Sequence, residues 1–232
     1  MPEDSVILLQ PCGHNPTGTQ PKPEHWSLIS KILQQKRILP FFDIAYHGLC
    51  SGSIEKDSFP IRLFAEDGHQ MLVAQTFSKN MALYGKRIGA LTILADDENE
   101  CYKIQSQLQS LIISKYICPP SFDAQVVTEI LSDKQLKREW INELEHIAFR
   151  LSKVRAQFRT KLEFLCPTRN WNSITDQSGI FWFTGFSSKQ VERMINEFSV
   201  YLPEDGRLNI AGVNEHNMNH LARVIQQIVD DN

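Results

Sequence analysis

Lys79 carries the first chemical signal in this sequence. It lies in QTFSKNMALYGKR, residues 75–87, directly after an apolar run from Met71 to Phe77 that predicts a buried strand. An ammonium normally ends a flexible stem in open water, so a lysine at a strand-to-turn boundary is unusual. Two hydroxyls, Thr76 and Ser78, accompany it, and Arg87 follows eight residues on. Such a group can hold a phosphate ester while the amine condenses with an aldehyde. Burial and cationic neighbours lower a lysine's pKa and free its lone pair, which suits it to that work. A solvated lysine after a strand is the plainer reading, and this stretch alone leaves both open.

The elements that must position Lys79 can be read in order. Val6–Leu9 predicts a first strand, followed by a loop, CGHNPTGTQPKPEHW (residues 12–26), dense in Gly, Pro, Asn and Thr. Pro16 biases Asn15 toward an extended backbone. Trp26, Ile29, Ile32 and Leu33 fall on one helical face between Pro23 and Lys36, and Ile38–Asp43 is a second strand closed by an acid. Strand, helix, strand implies a parallel α/β unit, in which ligands bind at the carboxyl ends of the strands. Asp43, Tyr46 and the Asn15 loop are therefore expected to meet at one edge, with Lys79 after the next strand.

Beyond a mixed stretch, Ser51–Glu66, and a fourth strand, Arg87–Ala95, a helix is expected over Asp97–Ile113 and is broken by Cys118-Pro119-Pro120. Residues 121–165 read as nearly continuous helix. The alternating DQSGIFWFTGF (residues 176–186), a helix over Ser187–Phe198, two strand-like pieces within Val200–Ala211 and a closing helix over Glu215–Val229 describe a smaller α+β domain.

Composition narrows the function classes. The chain has 232 residues, 42% hydrophobic and 22% charged, with a net charge of −3. It lacks the basic footprint of a nucleic-acid binder and any polybasic membrane segment. The apolar run near Met1 is too short for a signal or a membrane span. Five widely spaced cysteines without a C-x-x-C pair suggest neither a disulfide framework nor a zinc site, and a reducing cytoplasm is the expected compartment.

Four segments in fixed order carry a more specific signal: HNPTG (14–18), FFDIAYHG (41–48), SKN…LYGKRIG (78–89) and GRLNIAG (206–212). Together they resemble the aspartate/aromatic aminotransferases, class I members of the fold-type I enzymes that use pyridoxal 5'-phosphate. The resemblance runs along essentially the whole chain and covers the later part of a typical member. It implies the C-terminal part of that α/β fold: a partial, mostly parallel sheet with helices over residues 1–130, then a connector helix and small α+β domain over 131–232. The family's N-terminal arm, first strands, glycine-containing phosphate loop and ring-stacking aromatic would precede Met1.

Carried over residue by residue, the resemblance makes Lys79 the catalytic Schiff-base lysine and proton shuttle, and Asp43 the acid that pairs with the pyridinium nitrogen. Tyr46 and Asn15 become donors to the cofactor's phenolic oxygen, and Thr76, Ser78 and Arg87 the phosphate ligands. Arg207 becomes the clamp for the substrate α-carboxylate, with Asn15 and Phe181 lining the substrate site. Taken singly, Asp43 reads as a strand-end cap, Tyr46 as a half-buried aromatic, Asn15 as a turn former and Arg207 as a solvated hairpin residue; the ordered set is what favours the cofactor reading. The implied activity is transfer of an amino group between an amino acid and a 2-oxo acid by a homodimer. The alternative is a catalytically inactive remnant or dimerisation module of the same fold. Two positions depart from the pattern. Ile113 stands where dicarboxylate enzymes place a side-chain-binding arginine, which points toward apolar or aromatic substrates. Gln10 replaces a histidine of the active-site network and keeps the ability to donate and accept.

Overall fold

The structure is a computed structural model that describes residues 2–230. By internal contacts the chain forms two units: residues 1–11, 21–47 and 54–143 make the first, and 12–20, 48–53 and 144–232 the second.

The first unit is built on a four-stranded sheet in the order β1 (Val6–Leu9), β2 (Leu39–Ile44), β3 (Met71–Thr76), β4 (Gly89–Leu94). β1, β2 and β3 are parallel, with Leu8 opposite Phe41 and Asp43 opposite Ala74. β4 runs antiparallel to β3, so the sheet is mixed. Gly89 has a local reason to be glycine, because a Cβ there would sit 2.5 Å from the Gln75 carbonyl oxygen. Helices α1 (Pro23–Gln35), α2 (Ile54–Asp57) and α3 (Phe59–Glu66) occupy the connections. Trp26, Leu33, Phe42, Phe64 and Met71 form the core, with the Phe42 and Phe64 rings edge to face at 5.1 Å. Each such fully buried side chain contributes on the order of 1.5–3 kcal/mol. A polar lock joins α1 to the turn before β3: Ser30 Oγ donates to Asp67 at 2.5 Å and lies 2.9 Å from His69 Nε2.

α4 (Glu98–Tyr116) begins at an Asp97 cap, whose carboxylate accepts from the Glu100 amide, and has no buried residue. It runs three residues beyond the expected Ile113 and stops at Ile117, before the Cys-Pro-Pro break. The stretch read as nearly continuous helix over 121–165 is two helices, α5 (Phe122–Ser132) and α6 (Lys134–Leu165), separated by one residue. Asp133 interrupts it: its extended backbone breaks the ladder, and its carboxylate accepts from the amides of Gln135 and Leu136, capping the new helix.

The second unit contains the later part of α6, α7 (Ser173–Asp176), β5 (Phe181–Phe183), α8 (Ser188–Phe198), β6 (Arg207–Asn209) and α9 (Met218–Asp230). Trp182 is its centre, 1% exposed and edge-on to Phe158, Trp171 and Phe186. Ser187 and Gln190 form a reciprocal capping box that starts α8. Of the two strands expected within Val200–Ala211, only β6 forms, pairing antiparallel with β5. Ser199 is left-handed at φ 56°, and a turn closes Gly206 N onto Pro203 O, so the first piece cannot extend. Among the described residues no helix is long and apolar enough to cross a membrane.

Candidate active site

In the first unit the candidate residues gather at the carboxyl ends of β2 and β3. Asp43 is the penultimate residue of β2, and its Oδ2 accepts a hydrogen bond from Gln10 Nε2 at 3.2 Å. Gln10 thereby occupies the supporting position expected for it. Tyr46 follows just after β2 and is 4% exposed. Lys79 lies three residues past β3, and its Nζ sits 5.2 Å from the centre of the Tyr46 ring. That is cation–π range, so the aromatic face holds the amine. Parallel pairing of β2 with β3 creates this neighbourhood, because both strands deliver their following residues to the same edge.

Thr76, Ser78 and Arg87 form one hydrogen-bonded group. Thr76 Oγ1 and Ser78 Oγ are 2.8 Å apart, and Arg87 donates to Ser78 Oγ at 3.4 Å. Arg87 also donates to the Tyr84 carbonyl and adopts a left-handed backbone at φ 54°. That conformation costs a non-glycine residue on the order of 1 kcal/mol. A guanidinium and two hydroxyls thus meet at one place, an arrangement suited to a dianionic phosphate.

Two supporting residues, Asn80 and His47, lie within the quoted segments but were given no role from the sequence. Asn80, next to Lys79, donates to the His47 carbonyl at 3.3 Å, and its own carbonyl accepts from Trp140 Nε1 at 2.7 Å. These bonds tether the lysine turn to the loop after β2 and to the start of α6. His47 donates from Nε2 to the Ile54 carbonyl and accepts at Nδ1 from Gln75. Burial pushes its pKa below the ordinary value, and this bonding suits the neutral ring.

In the second unit Arg207 is the centre. It donates from a terminal nitrogen to Asn15 Oδ1 at 2.6 Å, lies 3.3 Å from Asp205 through Nε, and stacks 5.0 Å over the Phe181 ring. Arg207 and Phe181 come from the paired strands β6 and β5. Asn15 comes from a loop fastened to the chain before β5: Ser178 donates its amide to Gly18 O, and Gln20 donates to Ser178 Oγ. Gly18 has φ +65°, and a Cβ there would sit 3.0 Å from Gln177 Cβ. Only glycine combines that conformation with that contact. Arg155, 4% exposed, holds the opposite side by donating to the carbonyls of Ile174, Gly179 and Phe181. Burial lowers its pKa to about 10, so it remains a cation at neutral pH. Asp205 had a sequence signal, the Asp-Gly-Arg turn; Arg155 had none, since it looks like one more charge in a long amphipathic helix.

Ile113 is 61% exposed on α4, an apolar side chain at the place where the resemblance expects an arginine.

The comparisons with known proteins follow the same line. The family model described as "Aminotransferase class I and II" matches residues 1–225. The mitochondrial aspartate aminotransferase of Dictyostelium discoideum is 43% identical over 231 residues, which is 100% of this chain and 54% of that protein. A psychrophilic aromatic amino acid aminotransferase from Psychrobacter sp. B6, cocrystallised with aspartic acid, superposes with a TM-score of 0.96 at 33% identity, covering 100% of this chain and 58% of the other. An aromatic-amino-acid aminotransferase from Burkholderia pseudomallei, covalently bound to pyridoxal phosphate, gives 0.94 at 32% identity over 98% of this chain and 57% of the other. The chain thus spans about half the length of the curated relatives it matches.

Proposed function

We propose, from the premise that the chain belongs to the class I and II aminotransferases, that it takes part in pyridoxal-phosphate-dependent transfer of an amino group between an amino acid of the aspartate or aromatic class and a 2-oxo acid. The observation that carries this reading is the Lys79 amine held over the Tyr46 ring, at the strand edge that also bears Asp43.

The chemistry of the donor set fits the cofactor. In the first unit Lys79 would hold it covalently through Nζ, Asp43 would pair with its ring nitrogen, and Tyr46 would donate to its phenolic oxygen; the same role for Asn15 rests on the resemblance alone. Thr76, Ser78 and Arg87, already joined by hydrogen bonds, would take the phosphate. When bound, pyridoxal phosphate supplies the electron-withdrawing ring that accepts charge from the substrate α-carbon.

The residues of the chain do the rest. An ionised Asp43 favours a proton on a ring nitrogen beside it, and Gln10 fixes its orientation. Lys79 Nζ would serve as a base able to take the substrate α-proton and return it elsewhere. The Arg207 fork binds an α-carboxylate in two parallel bonds, and the Asn15 carbonyl and Phe181 ring hold the guanidinium in place beforehand. Ile113 supports a preference for apolar or aromatic side chains, because it offers an acidic side chain no counter-charge.

The remaining proposals rest on the resemblance. They are a large cofactor domain ending near residue 130 and a homodimer; a cytoplasmic setting rests instead on the cysteine pattern, and the Dictyostelium relative offers a mitochondrial one. A transamination assay of the purified chain with aspartate, tyrosine and phenylalanine against 2-oxoglutarate tests the reading. Turnover dependent on added pyridoxal phosphate and abolished in Lys79→Ala is expected. No turnover with any of the three, despite bound cofactor, would favour the inactive module.

A further inference from the structure

Cys12 and Cys50 stand far apart in sequence, yet their sulfur atoms lie within 4.8 Å of each other, and both belong to the second unit. Both are thiols. Cys12 is 2% exposed, three residues before Asn15, whereas Cys50 is partly exposed in the turn at 48–53. The Cys50 sulfur rests on a fixed floor: a Cβ at Gly179 would lie 3.5 Å from it and 3.8 Å from Gly13 Cα, and the Gly179 carbonyl is held by Arg155. Arg155 is a buried cation, and its attraction to Cys50 partly offsets what burial takes from its pKa.

We propose that Cys12 and Cys50 are a dithiol–disulfide couple whose oxidation fastens the Asn15 loop to the 48–53 turn. A disulfide needs a sulfur separation near 2.05 Å, and a rotamer change at one cysteine moves its sulfur on the scale required. The oxidant is a small disulfide of the oxidised-glutathione class. Cys50, the accessible thiol, loses its proton and attacks one sulfur of the oxidant, forming a mixed disulfide while the first glutathione leaves as thiolate and takes up that proton. Cys12 then loses its proton and attacks the Cys50 sulfur. The second glutathione leaves and is protonated in turn, so two protein thiols are oxidised and one disulfide is reduced to two thiols. Because Asn15 accepts from Arg207, the bond would restrain the loop that orients the candidate carboxylate clamp. The couple does not depend on the aminotransferase reading.

The experiment is non-reducing peptide mapping after incubation with oxidised glutathione, followed by amide hydrogen exchange of the product. The expected product is a Cys12–Cys50 linked peptide, formed ahead of any link to the exposed Cys101 and Cys118 and reversed by dithiothreitol, with exchange over residues 13–19 slowed several-fold. In Cys12→Ser, Cys50 should stop at the glutathione mixed disulfide. In Cys50→Ser, the buried Cys12 should stay unmodified. Either variant is informative alone, and the wild-type map stands if neither folds. Glutathione on Cys101 and Cys118 with Cys12 and Cys50 unlinked would overturn the couple, and so would a linked product whose loop exchanges at the unlinked rate.

Discussion

Single residues decide the chemistry, and they were unequally legible. Lys79 and Tyr46 follow apolar strands and Asp43 lies at the end of one, where a polar side chain needs a reason, and their order along the chain then favoured the cofactor reading over the plainer one. Arg207 and Asn15 are 192 positions apart, and no local spacing links them. Their pairing was accessible only through the resemblance, and the 2.6 Å bond is a product of tertiary folding. The Cys12–Cys50 proximity is of the same kind, since five scattered cysteines read as unrelated thiols. One prediction belongs here. A charge-assisted fork that grips a carboxylate contributes roughly 1.5–3 kcal/mol. Arg207→Ala should therefore raise the KM for the amino acid about ten- to hundredfold while Lys79 still reacts with added cofactor. An unchanged KM in steady-state assays would remove Arg207 from the carboxylate site.

At the scale of elements, short apolar runs bounded by turn residues gave β1 to β4 within a residue or two, because a run of that length with such flanks reads as a strand. The misses have local causes. The apolar period runs on through Asp133, so only its cap, two amide bonds to one carboxylate, divides α5 from α6. The stretch after Ser51 read only as mixed because α2 and α3, at four and eight residues, are too short to show a sustained helical period. Gly18 is the element-scale test. Gly18→Ala would force a Cβ against Gln177 in a left-handed conformation and should destabilise the second unit by about 1–3 kcal/mol. Urea denaturation followed by tryptophan fluorescence checks this through Trp171 and Trp182, and an unaltered midpoint would mean that the 12–20 loop does not press on residues 177–178.

For the whole molecule, two buried histidines set a pH dependence. Burial lowers the pKa of both His47 and His69 from 6.5, so the unfolded chain binds protons more readily than the folded one. Their contribution is fully present above that ordinary value and is lost as pH falls through the lowered folded values. Urea midpoints should drop between about pH 7 and pH 5, and the drop should shrink in His47→Gln. A midpoint that rises on acidification would contradict the burial argument.

Everything proposed for the site turns on Lys79 as the residue that carries pyridoxal phosphate. Borohydride reduction of the chain with stoichiometric cofactor, followed by peptide mapping, tests it most directly. A pyridoxyl adduct at Lys79 is expected, lost in Lys79→Ala and weakened in Arg87→Ala. Label spread over exposed lysines such as Lys86 and Lys115, with Lys79 unmodified, would contradict it.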